Sequence, residues 1–170
     1  MIAWEGYPAR HDGVLSPAAS PDDGVAPPGR PEYADCVRLK KQVAKLLTWE
    51  RVCRVATSGP GGVPHVVPVC HVLADGKLYF GSERDAKKVR NLRANPHAAV
   101  TVDLYGEDWS NLKGVMIQGS AVLIERGPRF RKVRRLLYAK YPQYPEEAAL
   151  EEGDVIVEIT PRHVFSWGLE

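Results

Sequence analysis

The sequence predicts a mainly β domain with flanking helices, its strands arranged as an antiparallel barrel. Two observations carry that expectation. Short β-branched or aromatic runs recur about seven times between Arg51 and Trp167, whereas helical periodicity is confined to two or three segments. The first three runs are also separated by hairpin signals, Ser58-Gly59-Pro60-Gly61-Gly62 and Asp75-Gly76, which favour antiparallel pairing over a parallel sheet.

Residues 1–31 stand outside this pattern. Pro8, Pro17, Pro21, Pro27, Pro28 and Pro31 fall there without apolar periodicity, so a Pro/Gly-rich flexible arm is expected over 1–31 and the folded domain over 32–170. From Glu32, residues Cys36, Leu39, Val43, Leu46 and Leu47 recur at helical spacing, with Pro31 placed for a first turn. Strands are expected over 51–57, 63–73 and 77–80. A short polar helix is expected next, over 85–94, stopped by Asn95-Pro96. Two longer strands are expected over 98–105 and 114–125. Phe130, Val133, Leu136, Leu137, Tyr138 and Tyr141 mark an amphipathic helix that closes at Pro142, and strands over 154–160 and 163–167 finish the chain.

Composition narrows the class. The chain has 170 residues, 44% hydrophobic and 26% charged, with a net charge of +2. A chain of this size buries about 70% of the surface it exposes when unfolded, which is enough for a real core. Near-neutrality excludes disorder throughout and argues against strong non-specific nucleic-acid binding. No run approaches the roughly 20 apolar residues of a membrane span, and no charged-then-apolar leader opens the sequence. Cys36, Cys53 and Cys70 form no CxxC pair, so free thiols in a cytoplasmic setting are expected.

Most of the obvious chemistries fail on inspection. Gly59-Pro60-Gly61-Gly62 precedes an extended run rather than a helix, so it reads as a hairpin turn and not a phosphate loop. His65 and His71 share a strand face but lie roughly 20 Å apart, too far for one zinc, and no metal site is expected. No GxSxG elbow supports a hydrolase. Cys70 and His71 are strand neighbours and point to opposite faces. The basic run from Arg126 to Lys140 lies opposite the apolar face of its helix, which leaves a solvated face or a nucleic-acid footprint. Lys87 and Lys88 are more pointed. They sit in the first turn of a short helix capped by Ser82 or Asp85, where cations oppose the helix dipole and a phosphate would reverse the penalty. The run from Val63 to Val72 is apolar on both faces yet carries Pro64 and Pro68, which belong at a sheet edge. Such an edge suits burial at an interface and leaves backbone groups for a planar ligand.

Taken together, His65-Val66-Val67-Pro68-Val69 after a Gly-rich turn, Asp75-Gly76-Lys77-Leu78-Tyr79-Phe80, and Lys88-Val89-Arg90-Asn91-Leu92-Arg93-Ala94-Asn95-Pro96 resemble the pyridoxamine 5′-phosphate oxidase-like flavin-binding split-barrel superfamily. Val115 to Ala121 with Gly119, Lys140-Tyr141-Pro142-Gln143-Tyr144, Pro161-Arg162 and Ser166-Trp167 extend the likeness over about residues 45–168. The resemblance implies an antiparallel Greek-key split barrel, a homodimer, and FMN in the groove between subunits. It implies cofactor contacts from His65, Val66, Val67, Pro68, Val69 and Cys70, from Phe80, Gly81 and Ser82, from Lys87 and Lys88 at the phosphate, and from Trp167. Two departures stand out. The Arg-x-His segment that grips the vitamer phosphate in true pyridoxamine phosphate oxidases does not come after Trp167, so oxidation of vitamin B6 is not expected. Lys113-Gly114 stands where a glutamine often precedes this strand, so the flavin contact made by that glutamine is not carried over. Asp103, Tyr105 and Asp108-Trp109-Ser110, with Lys140-Tyr141-Pro142, resemble a branch that uses the deazaflavin coenzyme F-420 as well as or instead of FMN.

The expected function is therefore an oxidoreductase that transfers hydride between FMN, or deazaflavin, and a small organic substrate. No residue stands out as an obligatory acid or base; His65, His71 and Tyr105 are weak candidates for proton delivery. The alternatives are a non-catalytic flavin- or haem-binding module and a barrel that binds single-stranded nucleic acid.

Overall fold

The computed structural model describes residues 37–169. The expected arm over 1–31 and the start of the expected first helix lie outside the described residues. Helix α1 spans Lys41–Trp49. It begins later than its periodicity implies because the Val37 N–H donates to the Pro161 carbonyl (3.4 Å), which keeps residues before Lys41 extended. Its inward stripe of Val43, Leu46 and Leu47 is buried.

Seven strands form one sheet: β1 (Val52–Ser58), β2 (Pro64–Cys70), β3 (Val72–Ala74), β4 (Lys77–Ser82), β5 (His97–Leu104), β6 (Lys113–Ile124) and β7 (Val155–Trp167). Their order is β2-β1-β5-β6-β7-β4-β3, and every pairing is antiparallel. Helices α2 (Lys87–Ala94), α3 (Pro128–Lys140) and α4 (Tyr144–Glu147) flank it. Asp75 and Gly76 both have positive φ, 51° and 74°, the type I′ geometry a two-residue hairpin requires.

The order of strands dictates the curl. β2 and β3 are the two edges of the sheet, yet only His71 separates them in the chain. The sheet must therefore bend round until its edges meet, which makes it a half-barrel. The sequence predicts a single strand over 63–73; the break at His71 arises because that residue turns the corner. His71 is fully buried, and its Nε2 lies 2.8 Å from the Leu47 carbonyl, so Nε2 carries the proton and Nδ1 is left without a partner. The Tyr141 hydroxyl accepts from the His71 N–H (2.9 Å) and shares its own proton between the carbonyls of Arg51 (2.5 Å) and His71 (2.6 Å). His65 and His71 consequently do not share a strand face.

The two strands expected over 154–160 and 163–167 are one continuous strand, β7. Gln118 pairs with His163 and Gly119 with Pro161, so Arg162 is the extra residue of a bulge. A side chain at Gly119 would collide with the Thr160 carbonyl oxygen, which is why the bulge faces a glycine.

Two clusters fill the structure. Inside the barrel, Val55, Val100, Ile117 and Val157 pack with Leu47 of α1 and Val89 of α2. Outside it, Val72, Tyr79, Ile124 and Ile156 lie under Phe130, Val133 and Leu137 of α3. Glu158, only 2% exposed, accepts from Lys77 (2.9 Å) and from Arg129, tying α3 to the sheet. No helix among the described residues is long and apolar enough to cross a membrane.

Candidate functional site

The half-barrel is not sealed along its whole length. β3 pairs with β4 through Val72↔Tyr79, Leu73↔Leu78 and Ala74↔Lys77. Continuing that register would set Cys70 opposite Gly81 and Val69 opposite Ser82. No ladder joins them, although β2 and β4 are in contact. The ladder lapses where β2 leaves the His71 corner, so Phe80 to Ser82 pair only with β7 on their other side. This opening is a seam between β2 and β4.

Helix α2 starts just beyond the seam. The sequence predicts it from residue 85 with Ser82 or Asp85 as cap, but it begins at Lys87 after Ala86, with no side-chain cap. The intervening turn, with Ala86 N–H on the Glu83 carbonyl (3.2 Å), displaces the start, and Ser82 Oγ donates to the Glu83 carbonyl instead. Neighbouring cations are engaged. Glu125 holds Arg84 (2.9 Å) and Arg93 (3.5 Å), and Arg90 donates to the Asp85 carbonyl. Lys87 and Lys88 make no hydrogen bond or ion pair among the described residues. Lys88 is half-buried, and desolvation pushes its ammonium below the usual lysine range, only partly opposed by Glu83. The first turn contains no acid. A phosphate there would relieve both the desolvated ammonium and the cation–dipole conflict.

The other sequence-predicted residues divide between the seam and the rest of the sheet. His65, Val66, Val67, Pro68, Val69 and Cys70 lie on β2, a true edge strand that is exposed or half-exposed throughout. No described helix or loop covers the outward side of β2, and Val66 is 59% exposed. The Phe80 side chain is sunk in the barrel core, so only its backbone reaches the seam. Trp167 is not at the seam. It pairs with Gly114 on β6, and β6, β5 and β1 separate it from β2 by roughly 19 Å of sheet. Its ring packs so closely on Gly114 that any side chain there would collide with it, and its indole N–H is buried without an acceptor. His71 is no proton donor at neutral pH: desolvation first, then the Lys140 charge, hold its imidazole down at about 4.

A second feature is not anticipated by the sequence reading. Across β2, β1, β5, β6 and β7, paired residues place Val66, Ala56, Ala99, Gln118 and His163 in one row on the outer face. Ala56, Ala99, Gln118 and His163 of that row floor a solvent-open concavity of about 560 Å³ beside Pro64, edged by Ser58, Asn95, His97 and Arg162. No acidic side chain lines it. The adjoining row carries Pro68, Arg54, Thr101, Met116 and Phe165, the last 45% exposed. The concavity's only trace in the sequence is the pair of small residues, Ala56 and Ala99, at outward positions of β1 and β5.

Comparison with known proteins agrees with this architecture. The family model described as pyridoxamine 5′-phosphate oxidase matches residues 39–168. An FAD-binding protein from Mesorhizobium loti superposes with TM-score 0.60 at 28% identity, covering 72% of this chain and 86% of its own. A heme storage protein from Vibrio cholerae gives TM-score 0.65 at 16% identity over 76% and 94%. An F-420 reductase gives 0.60 at 21% over 75% and 98%. No curated protein matches the sequence.

Proposed function

The chain belongs to the pyridoxamine 5′-phosphate oxidase family, and from that premise we propose that it is a homodimeric oxidoreductase using FMN or the deazaflavin coenzyme F-420 on a small organic substrate. The observation that carries this reading is the β2–β4 seam, with two unpaired lysines at the uncapped start of α2. A bound flavin would supply the hydride chemistry. The chain's own residues bind and orient it. Lys87 and Lys88 hold the phosphate. The β2 backbone from His65 to Cys70 and the Gly81–Ser82 backbone line the ring. Trp167, remote from its own seam, serves the partner's, where an acceptor from outside the protomer would satisfy its orphaned indole N–H. The second copy would seat on the exposed outer face around Val66 and Phe165, close the concavity and exclude water.

The test is cofactor titration. Freshly purified protein is expected to show a flavin absorption band, or to acquire one with added FMN; with F-420, a shifted deazaflavin band replaces it. The Lys87→Ala, Lys88→Ala double variant is expected to weaken cofactor binding about a hundredfold, roughly tenfold for each lost charge-assisted contact. Unchanged affinity would sink the phosphate assignment. Turnover with a reduced donor and a panel of quinones and unsaturated ketones separates the enzyme from a cofactor-storing module.

A further inference from the structure

We propose that Arg131, Arg134 and Arg135 form a second anion site, distinct from the α2 lysines, for an oligophosphate group carried by a small molecule. The three residues are spaced i, i+3, i+4, so they share one face of α3, and with Pro128 they line a concavity of about 330 Å³. The other cations of α3 are neutralised or hydrogen-bonded locally: Arg129 by Glu158, Lys132 by Asp75 (2.9 Å), Lys140 by the Glu50 carbonyl (2.7 Å). Arg131, Arg134 and Arg135 have no acid or carbonyl partner among the described residues, although Arg134 is half-buried. Like charges at this spacing destabilise a helix, and α3 has no acid in its first turn to offset them. The arrangement is costly without an anion and stabilising with one.

Charge and length select the ligand. A single phosphate ester carries about −1.5 to −2, too little to balance three guanidinium groups, whereas two linked phosphates approach the match. Arg131 and Arg135 are offset by about 6 Å along the helix axis, so their planar forks suit two adjacent phosphates. An extended polyanion fits less well. Arg129 and Lys132 are already paired, so the free charge is a spot and not a track, and the chain carries only +2 overall.

Pyrophosphate is the probe, titrated calorimetrically into the full chain at low salt. Wild type is expected to bind it and to melt at higher temperature in its presence. The Arg131→Gln, Arg135→Gln variant, both side chains exposed and remote from the core, is expected to keep its far-ultraviolet circular dichroism and to lose affinity by roughly tenfold or more. The Lys87→Ala, Lys88→Ala variant is expected to retain pyrophosphate binding, which separates this site from the cofactor phosphate. No binding by wild type, equal binding by the arginine variant, or binding of a single-stranded oligonucleotide but not pyrophosphate would each overturn the proposal.

Discussion

The outer face of the sheet has two halves that both carry large apolar residues and meet opposite fates. Over β3, β4 and the first part of β7, its apolar residues Val72, Tyr79 and Ile156 lie under α3 and are almost fully buried. Over β2, β1 and the last part of β7, Val66, Val52 and Phe165 are equally apolar yet 59%, 45% and 45% exposed. The inner face carries the barrel core in both halves, although the inward residues of β2 stay half-exposed. The difference lies in the path of the chain: the 128–140 segment returns across one half, and no described segment returns across the other. Large apolar side chains left exposed on a sheet face mark a candidate contact surface, and the bare half adjoins both the β2 edge and the concavity.

The largest expected effect lies in the covered half. Leu137 is fully buried between α3 and the sheet, and Leu137→Ala leaves a cavity there. A loss of about 2–5 kcal/mol is expected in urea denaturation. Val66→Ala in the bare half should change the stability of the isolated protomer by about 0.5 kcal/mol or less. Equal losses at the two positions would mean that the halves are packed alike.

The corner that joins the halves gives the next effect. Burial chiefly, and the charge of Lys140 in addition, lower the His71 pKa from 6.5 to about 4. A folded pKa below the unfolded one means that the unfolded chain takes up the proton first. Stability from the neutral imidazole is therefore complete above pH 6.5 and is lost as the pH falls toward 4. The loss should be on the order of 3 kcal/mol. Denaturation midpoints measured from about pH 7 to about pH 4 check this, and His71→Gln should flatten that part of the profile whatever it costs at neutral pH. A wild-type profile flat between pH 6.5 and 4 would show that the corner is open to water.

Much of this is legible in the sequence, for reasons that are local. Asp75-Gly76 makes the tight turn its residue types favour, and β1 and β5 alternate in burial along their length. Lys87 and Lys88 stand out because the conflict between a cation and a helix start is written within a few neighbouring residues. The illegible features depend on distant partners. The break at His71 is held by Tyr141, 70 residues on, and nothing near His71 announces it. Helix α1 starts late because Val37 bonds Pro161 across the fold. The cap of α2 shifts to Ala86 because a backbone turn overrides two better capping side chains. The concavity escapes a sequence reading because its lining is gathered from five strands that are scattered along the chain.

The smallest expected change in protomer stability is also the one that tests the bare half most directly. Phe165 points outward at the row of Met116 and Thr101, with no described helix to cover it. Phe165→Glu places a carboxylate where it remains solvated in a monomer, so protomer stability should move by about 0.5 kcal/mol or less. In a two-fold dimer the same substitution occurs twice in one interface. It buries two carboxylates without partners, each costing several kcal/mol. Light scattering should therefore report a dimer for wild type and a monomer for the variant, with unchanged circular dichroism. If Trp167 serves the partner's seam, the monomeric variant should also lose flavin affinity although Lys87 and Lys88 are intact. A monomer that binds flavin as tightly as wild type would place the whole site within one chain, and a wild-type monomer would leave the bare half to a different partner.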